Sequence, residues 1–215
     1  MASLILFPVG LAVGVLAEAV AIDSPLREIR ERSKRLALIS VYAGLLFAAT
    51  PLVVGVNWQL PAYLWFVAVT VTLTLTDIDS KLIPNRILFP GTAIALVLLY
   101  GGSLIEGGAL LRPILGGAAY YTILLVLALV GPSGGMGGGD VKLGFLLGVF
   151  TAYPSWDTFV VAILVAFLGG GVVSLILIIS RKRDRSDAIA FGPYLVWGAY
   201  VSLAWGAAIA DWYLG

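Results

Sequence analysis

Four acidic residues stand where a carboxylate is costly: Glu18, Asp77, Asp79 and Asp140 lie at or inside the ends of long apolar stretches. An ionisable group at membrane depth is expensive to bury, so it usually faces the inside of a helix bundle and marks a site. Asp77 and Asp79 sit in TLTDIDSKLIPN (74–85), and Asp140 ends the glycine-rich run GPSGGMGGGD (131–140). Two carboxylates brought within a few ångströms cannot both ionise easily, so they share a proton and titrate as a unit. One then takes a proton from water while the other donates to a carbonyl oxygen, which is peptide-bond hydrolysis by two aspartates. The chain has no histidine and no cysteine. That excludes disulfides, thiol nucleophiles, Ser-His and Cys-His catalysis, and the common Cys/His zinc sites. Carboxylates, hydroxyls, lysines or a metal held by oxygen ligands are what remains, and the aspartate pair needs no metal or cofactor.

The elements that position these groups are membrane helices. Of the 215 residues, 60% are hydrophobic and 12% charged, with a mean hydropathy of +1.04. A soluble domain carries about 25% charged residues, so too little polar surface remains here to cover a water-soluble globule. The apolar residues come in blocks, and about 20 of them span a bilayer as a helix. Eight membrane segments are predicted, near 3–22, 37–56, 61–77, 87–104, 113–131, 140–153, 158–180 and 191–212. The fold class is all-α, a polytopic transmembrane helical bundle, with residues 1–215 forming a single membrane-embedded peptidase domain. The sixth segment is short, which calls for tilt or for shielding by its neighbours. The chain is apolar from Ala2 and has no basic n-region, so the first block reads as a retained helix rather than a cleaved signal peptide. The longest polar stretch, SPLREIRERSKR (24–35), reads as a short surface helix or a solvated loop.

Basic residues set the orientation. Arg27, Arg30, Arg32, Lys34, Arg35, Lys81, Arg86, Lys142, Arg181, Lys182, Arg183 and Arg185 all fall on one side, leaving only Arg112 of the 13 on the other. The loaded side is expected to be cytoplasmic, with both termini external. Asp77, Asp79 and Asp140 then share the cytoplasmic side. The net charge of +1 leaves no electrostatic footprint for nucleic acid, and the lipid bilayer is the expected surrounding.

Residues two apart on a helix point to different faces, so one of Asp77 and Asp79 can turn inward while the other meets the interface. Pro84 stops the helix from running straight on. Gly137 and Gly139 let the backbone approach another segment closely and bring Asp140 into place. Plainer roles exist for each group. An aspartate at a helix N-terminus caps it, and Asp77 and Asp79 could be solvated near Lys81. The aromatics Trp58, Tyr63, Trp65, Trp197, Trp205 and Trp212 read as interface anchors.

Taken together, these stretches resemble the type IV prepilin peptidases, polytopic aspartyl proteases with a G-x-G-D motif. GMGGGDVKLGFLLG (135–148) is similar to the G-x-G-D-x-K-L core, and TDIDSKLIPN (76–85) to the first aspartate motif. In that motif an aspartate lies seven residues before a proline, and Asp77 meets the spacing to Pro84 whereas Asp79 does not. FGPYLVWGAY (191–200) is similar to the F-G-P segment opening the last helix, and VGLAVGVLAEAVA (9–21) weakly to the first helix.

The resemblance implies cleavage of the basic leader from prepilins or pseudopilins, on the cytoplasmic side and just before their apolar N-terminal helix. Asp77 and Asp140 become the catalytic pair, the acid and base roles unassigned. Lys142 stabilises a carboxylate or meets lipid headgroups, Asp79 assists substrate binding or is solvated, and Phe191, Gly192 and Pro193 shape helix packing. Larger bacterial members carry a cysteine-containing cytoplasmic insertion after the first helix and also N-methylate the trimmed pilin. The corresponding loop here is about 14 residues (23–36) without cysteine, so methyltransferase activity is not expected. Glu18 stands where the family's first helix often has asparagine, and its role is open.

Two other classes compete. Intramembrane aspartates beside a broken, glycine-rich segment also suit an ion- or proton-coupled transporter, although no convincing internal repeat is present. Presenilin-like proteases cut inside membrane helices, but they place a tyrosine before the first aspartate, where Thr76 stands here. The spacing to Pro84 yields a direct expectation. Asp77→Asn or Asp140→Asn abolishes cleavage in a membrane leader-processing assay with the protein still folded, while Asp79→Asn leaves substantial activity.

Overall fold

A computed structural model describes residues 1–21, 29–130, 136–179 and 190–214. They form eight helices: α1 (Ala2–Ala21), α2 (Ile29–Val54), α3 (Leu60–Ser80), α4 (Asn85–Glu106), α5 (Leu111–Val130), α6 (Gly138–Ala152), α7 (Trp156–Ile179) and α8 (Gly192–Leu214). No strand occurs among the described residues. Seven of the helices are long and apolar enough to cross a membrane. The chain is a multi-pass membrane protein, and the eight predicted segments map one to one onto the helices. The glycine run 131–135, the basic segment 181–187 and the first part of the 24–35 stretch lie outside the described residues.

Three boundaries differ from expectation, each for a physical reason. The second helix begins at Ile29 rather than near residue 37, because five of residues 30–35 are Arg, Lys or Glu, good helix formers that extend the helix ahead of the apolar run. The third runs on to Ser80, carrying both Asp77 and Asp79 inside it. The sixth begins at Gly138, so two glycines join its first turn.

The chain divides into two compact units, Met1–Ser80 with Pro84–Gly108, and Lys81–Ile83 with Ala109–Gly215. In the first, α1 and α2 pack as an antiparallel pair through small residues. A Cβ added to Gly10 would lie 2.6 Å from the Ala43 carbonyl oxygen, and one on Gly14 would lie 2.5 Å from Ser40 Cα. Helices in lipid gain little from apolar burial alone, so backbones that approach this closely supply the association. Between α3 and α4, the Trp65 indole Nε1–H donates to the Gly91 carbonyl at 2.9 Å.

In the second unit α6 packs against α5, α7 and α8. Its 15 residues rise only about 22 Å at 1.5 Å each, yet Leu143, Leu146, Leu147, Val149 and Phe150 are all buried. Shielding by its neighbours therefore resolves the short segment. A Cβ on Gly148 would meet the Gly116 carbonyl oxygen at 2.3 Å, which places α5 and α6 backbone to backbone. At the start of α5, Arg112 Nη2 donates to the carbonyls of Tyr153 (2.5 Å) and Pro154 (2.8 Å), closing the C-terminal end of α6. Outward-facing Leu4, Leu38, Val97, Leu129 and Leu168 are exposed, as a lipid-facing surface requires.

Close approach makes glycine replacements sharply position-dependent. Gly148→Val is expected to destabilise the detergent-purified protein by about 1–3 kcal/mol through overpacking. Gly171→Val, at a site where an added Cβ would meet nothing within 4 Å, leaves the unfolding midpoint unchanged.

Candidate active site

Four hydroxyls of α3 bond back to the helix's own carbonyls, while the buried Thr74 hydroxyl has no hydrogen-bond partner. Thr70, Thr72, Thr76 and Ser80 each donate to a carbonyl in the preceding turn, of Phe66, Ala68, Leu73 and Thr76 respectively. The helix ends at Ser80 because Lys81 turns into the left-handed region at φ 54°. That conformation costs a side-chain-bearing residue about 1 kcal/mol. Pro84 follows at φ −71° and ψ 123° as the N-cap of α4, so the helix cannot resume until Asn85.

Helical phase then separates the two aspartates of the final turn. Asp77 is buried, with 4% of its surface exposed. Ile78, Asp79 and Ser80 are exposed. Asp79 is held by a forked pair, Arg35 Nη1 to Oδ1 at 2.9 Å and Arg35 Nη2 to Oδ2 at 2.5 Å. Arg35 Nε also makes an ion pair with Glu18 Oε2 at 3.2 Å. Glu18 is 1% exposed. This cluster joins the end of α1, the start of α2 and the end of α3 within the first unit.

Glu18 and Arg35 were not legible as partners in the sequence. Their one common signal is that both fall on the side of the membrane carrying Asp79, and five basic residues of the 23–36 segment share that side. Asp79 is exposed, and its carboxylate accepts both arms of the Arg35 guanidinium.

At the start of α6, Gly137 is the N-cap, with the ordinary angles φ −74° and ψ 144°. Its carbonyl accepts from Asp140 N at 3.0 Å, and its N–H donates to Asp140 Oδ2 at 3.3 Å. Asp140 therefore reaches back from the third helical position instead of capping the helix itself. It is buried, at 7% exposed. The neighbouring glycines differ. A Cβ on Gly139 would lie 2.9 Å from Ile83 Cβ, whereas one on Gly137 would meet nothing nearer than Asp140 Oδ2 at 3.5 Å. Gly139 is the position where close approach excludes a side chain. Lys142 is half-buried one helical step beyond. Phe191 lies over Gly170, where an added Cβ would stand 2.6 Å from its ring, and it packs against Phe167 at 5.3 Å. Its segment thus fastens α8 to α7.

Asp77 belongs to the first unit and Asp140 to the second. Among the described residues no three His, Cys, Asp or Glu side chains gather as metal ligands. Of the aromatic residues expected at the interface, Trp58, Trp197, Trp205 and Trp212 are exposed. Tyr63 is instead buried, and Trp65 is bonded to the Gly91 carbonyl of α4.

The sequence pattern of the type IV leader peptidase family matches residues 62–175, over half of the chain and including both buried aspartates. The chain is 31% identical over 183 residues to a prepilin leader peptidase/N-methyltransferase of Aeromonas hydrophila, covering 85% of this chain and 62% of that protein. It is 29% identical over 182 residues to the protein of that name from Pseudomonas aeruginosa, covering 84% and 62%. The Bacillus subtilis protein is 29% identical over 176 residues, covering 79% and 65%. The chain belongs to the type IV leader peptidase family. It spans less than two thirds of the length of these curated relatives. No solved structure matches it at a significant level.

The contrast between adjacent glycines is open to measurement. Gly139→Ala should destabilise the protein in detergent by about 1–3 kcal/mol, lowering its unfolding midpoint, as Ile83 is forced aside. Gly138→Ala, where an added Cβ has nothing within 4 Å, should leave it in place.

Proposed function

We infer that this chain is an aspartic endopeptidase that removes the basic leader from prepilin-like or pseudopilin-like proteins, with Asp77 and Asp140 as its two carboxylates. The observation that carries this is burial. Glu18, Asp77 and Asp140 are the buried carboxylates among the described residues. Glu18 is accounted for by Arg35. The other two are the residues that the spacing to Pro84 and the G-x-G-D motif single out. Burial thus supports Asp77 over Asp79 on grounds unrelated to that spacing. The names of the relatives supply the substrate class, a prepilin leader.

In the reaction, one carboxylate withdraws a proton from water as the oxygen attacks the scissile carbonyl. The other carboxyl group gives its proton to that carbonyl oxygen. Proton return to the amide nitrogen then releases the leader. Gly139 lets α6 present Asp140 with Ile83 seated against its backbone, and Lys142 and Pro84 shape the surroundings. The basic residues favour a cytoplasmic site with external termini, and residues 1–215 act as one peptidase domain. Methyl transfer is not part of the proposed function, since the α1–α2 link is short and the chain has no cysteine.

The test is leader cleavage by purified chain in lipid vesicles, followed as a mobility shift of a co-reconstituted prepilin. The expected result is one cut before the apolar helix, reduced by about 10²- to 10⁴-fold or more by Asp77→Asn and by Asp140→Asn, as loss of an acid or base requires. Cleavage that survives both substitutions would remove the dyad. Cation-dependent stabilisation with no cleavage would favour the transporter.

A further inference from the structure

We propose that Arg35 is a positioning residue, a forked clamp holding the last turn of α3, where Asp77 sits. The proposal rests on the peptidase reading and adds to it a residue that does not touch the reacting atoms. The last turn of a helix leaves its final carbonyls without intrahelical partners and is prone to fray. In α3 that turn stands just before the left-handed Lys81 and the helix-breaking Pro84. The chain beyond it does not extend the helix, so an outside tether is needed to hold Asp77 in one place. Arg35 supplies it through two parallel bonds to Asp79, two residues past Asp77.

A guanidinium fork fixes the orientation of a carboxylate, which a single ammonium cannot do. Arg35 is itself steered from behind. Its Nε faces Glu18, which is 1% exposed, and a carboxylate so deeply buried strongly disfavours loss of its cation. Asp79, Arg35 and Glu18 therefore link α3 to α2 and α1 in sequence. Both Asp79 oxygens accept from Arg35, so the carboxylate is held in one orientation. A displacement of about 1 Å at a reacting group can cost 10²-fold in rate, so a loosened turn should appear in kcat.

The experiment uses the full chain in lipid vesicles, with Arg35→Lys keeping the charge but losing the fork. Because the chain has no cysteine, a single Ser80→Cys carries a nitroxide label at the end of α3, and Ile105→Cys carries a reference label at the far end of α4. Arg35→Lys is expected to mobilise the label at 80 while leaving that at 105 unchanged. It should lower kcat for leader cleavage by about ten-fold, with KM within about two-fold. Asp79→Asn, which keeps one acceptor, should mobilise the label at 80 less than Arg35→Lys does and leave substantial cleavage.

An unchanged label at 80, an unchanged kcat, or a change in KM alone would each overturn the clamp. If the unsubstituted chain cleaves no leader, the peptidase reading fails, and the label at 80 still decides whether Arg35 holds the turn.

Discussion

The hydrocarbon interior of a bilayer offers no water to a peptide group and little gain to one apolar side chain over another. The first condition makes every membrane-spanning segment a helix, since only a helix satisfies its own backbone. The second means that helices associate where their backbones can come close. Gly10 and Gly14 bring α1 onto α2, and Gly116 and Gly148 bring α5 onto α6. These contacts allow a 15-residue helix such as α6 to survive in the interior of its unit, too short to meet lipid across the full thickness but covered by α5, α7 and α8.

The same medium governs the charges. A carboxylate in an apolar helix must face a partner, a protein interior or the polar rim. Glu18 meets the demand by pairing with Arg35, and Asp79 by accepting both arms of the same guanidinium. One arginine thus pairs with two acids on two helices and couples three elements at one end of the first unit. Asp77, turned away from Asp79 by helical phase, is left buried. A structural acid and a proposed chemical acid share one helical turn, told apart by the direction in which each side chain points.

The opening of α6 solves a different problem. An aspartate there benefits from the free N–H groups of the first turn, and Asp140 engages the Gly137 N–H. The glycines before it do unequal work. Gly137 adopts angles open to any residue, while Gly139 yields the space that Ile83 occupies. Glycine richness in such a motif is therefore partly a steric requirement at a single position and not a uniform need for a flexible backbone.

The existence and order of the eight helices were legible in the sequence because length and hydropathy are local properties, and the bilayer imposes one length on every span. The spacing to Pro84 and the G-x-G-D motif single out Asp77 and Asp140 within the sequence itself, since both are patterns of neighbouring residues, and both side chains are buried. Tertiary structure alone decided that Arg35 pairs with Asp79 and Glu18, that Tyr63 is buried and Trp65 bonds to α4, and that Gly139 lies beneath Ile83. Each depends on which helix faces meet. That choice is made by packing between segments far apart in the chain, and no residue carries it alone.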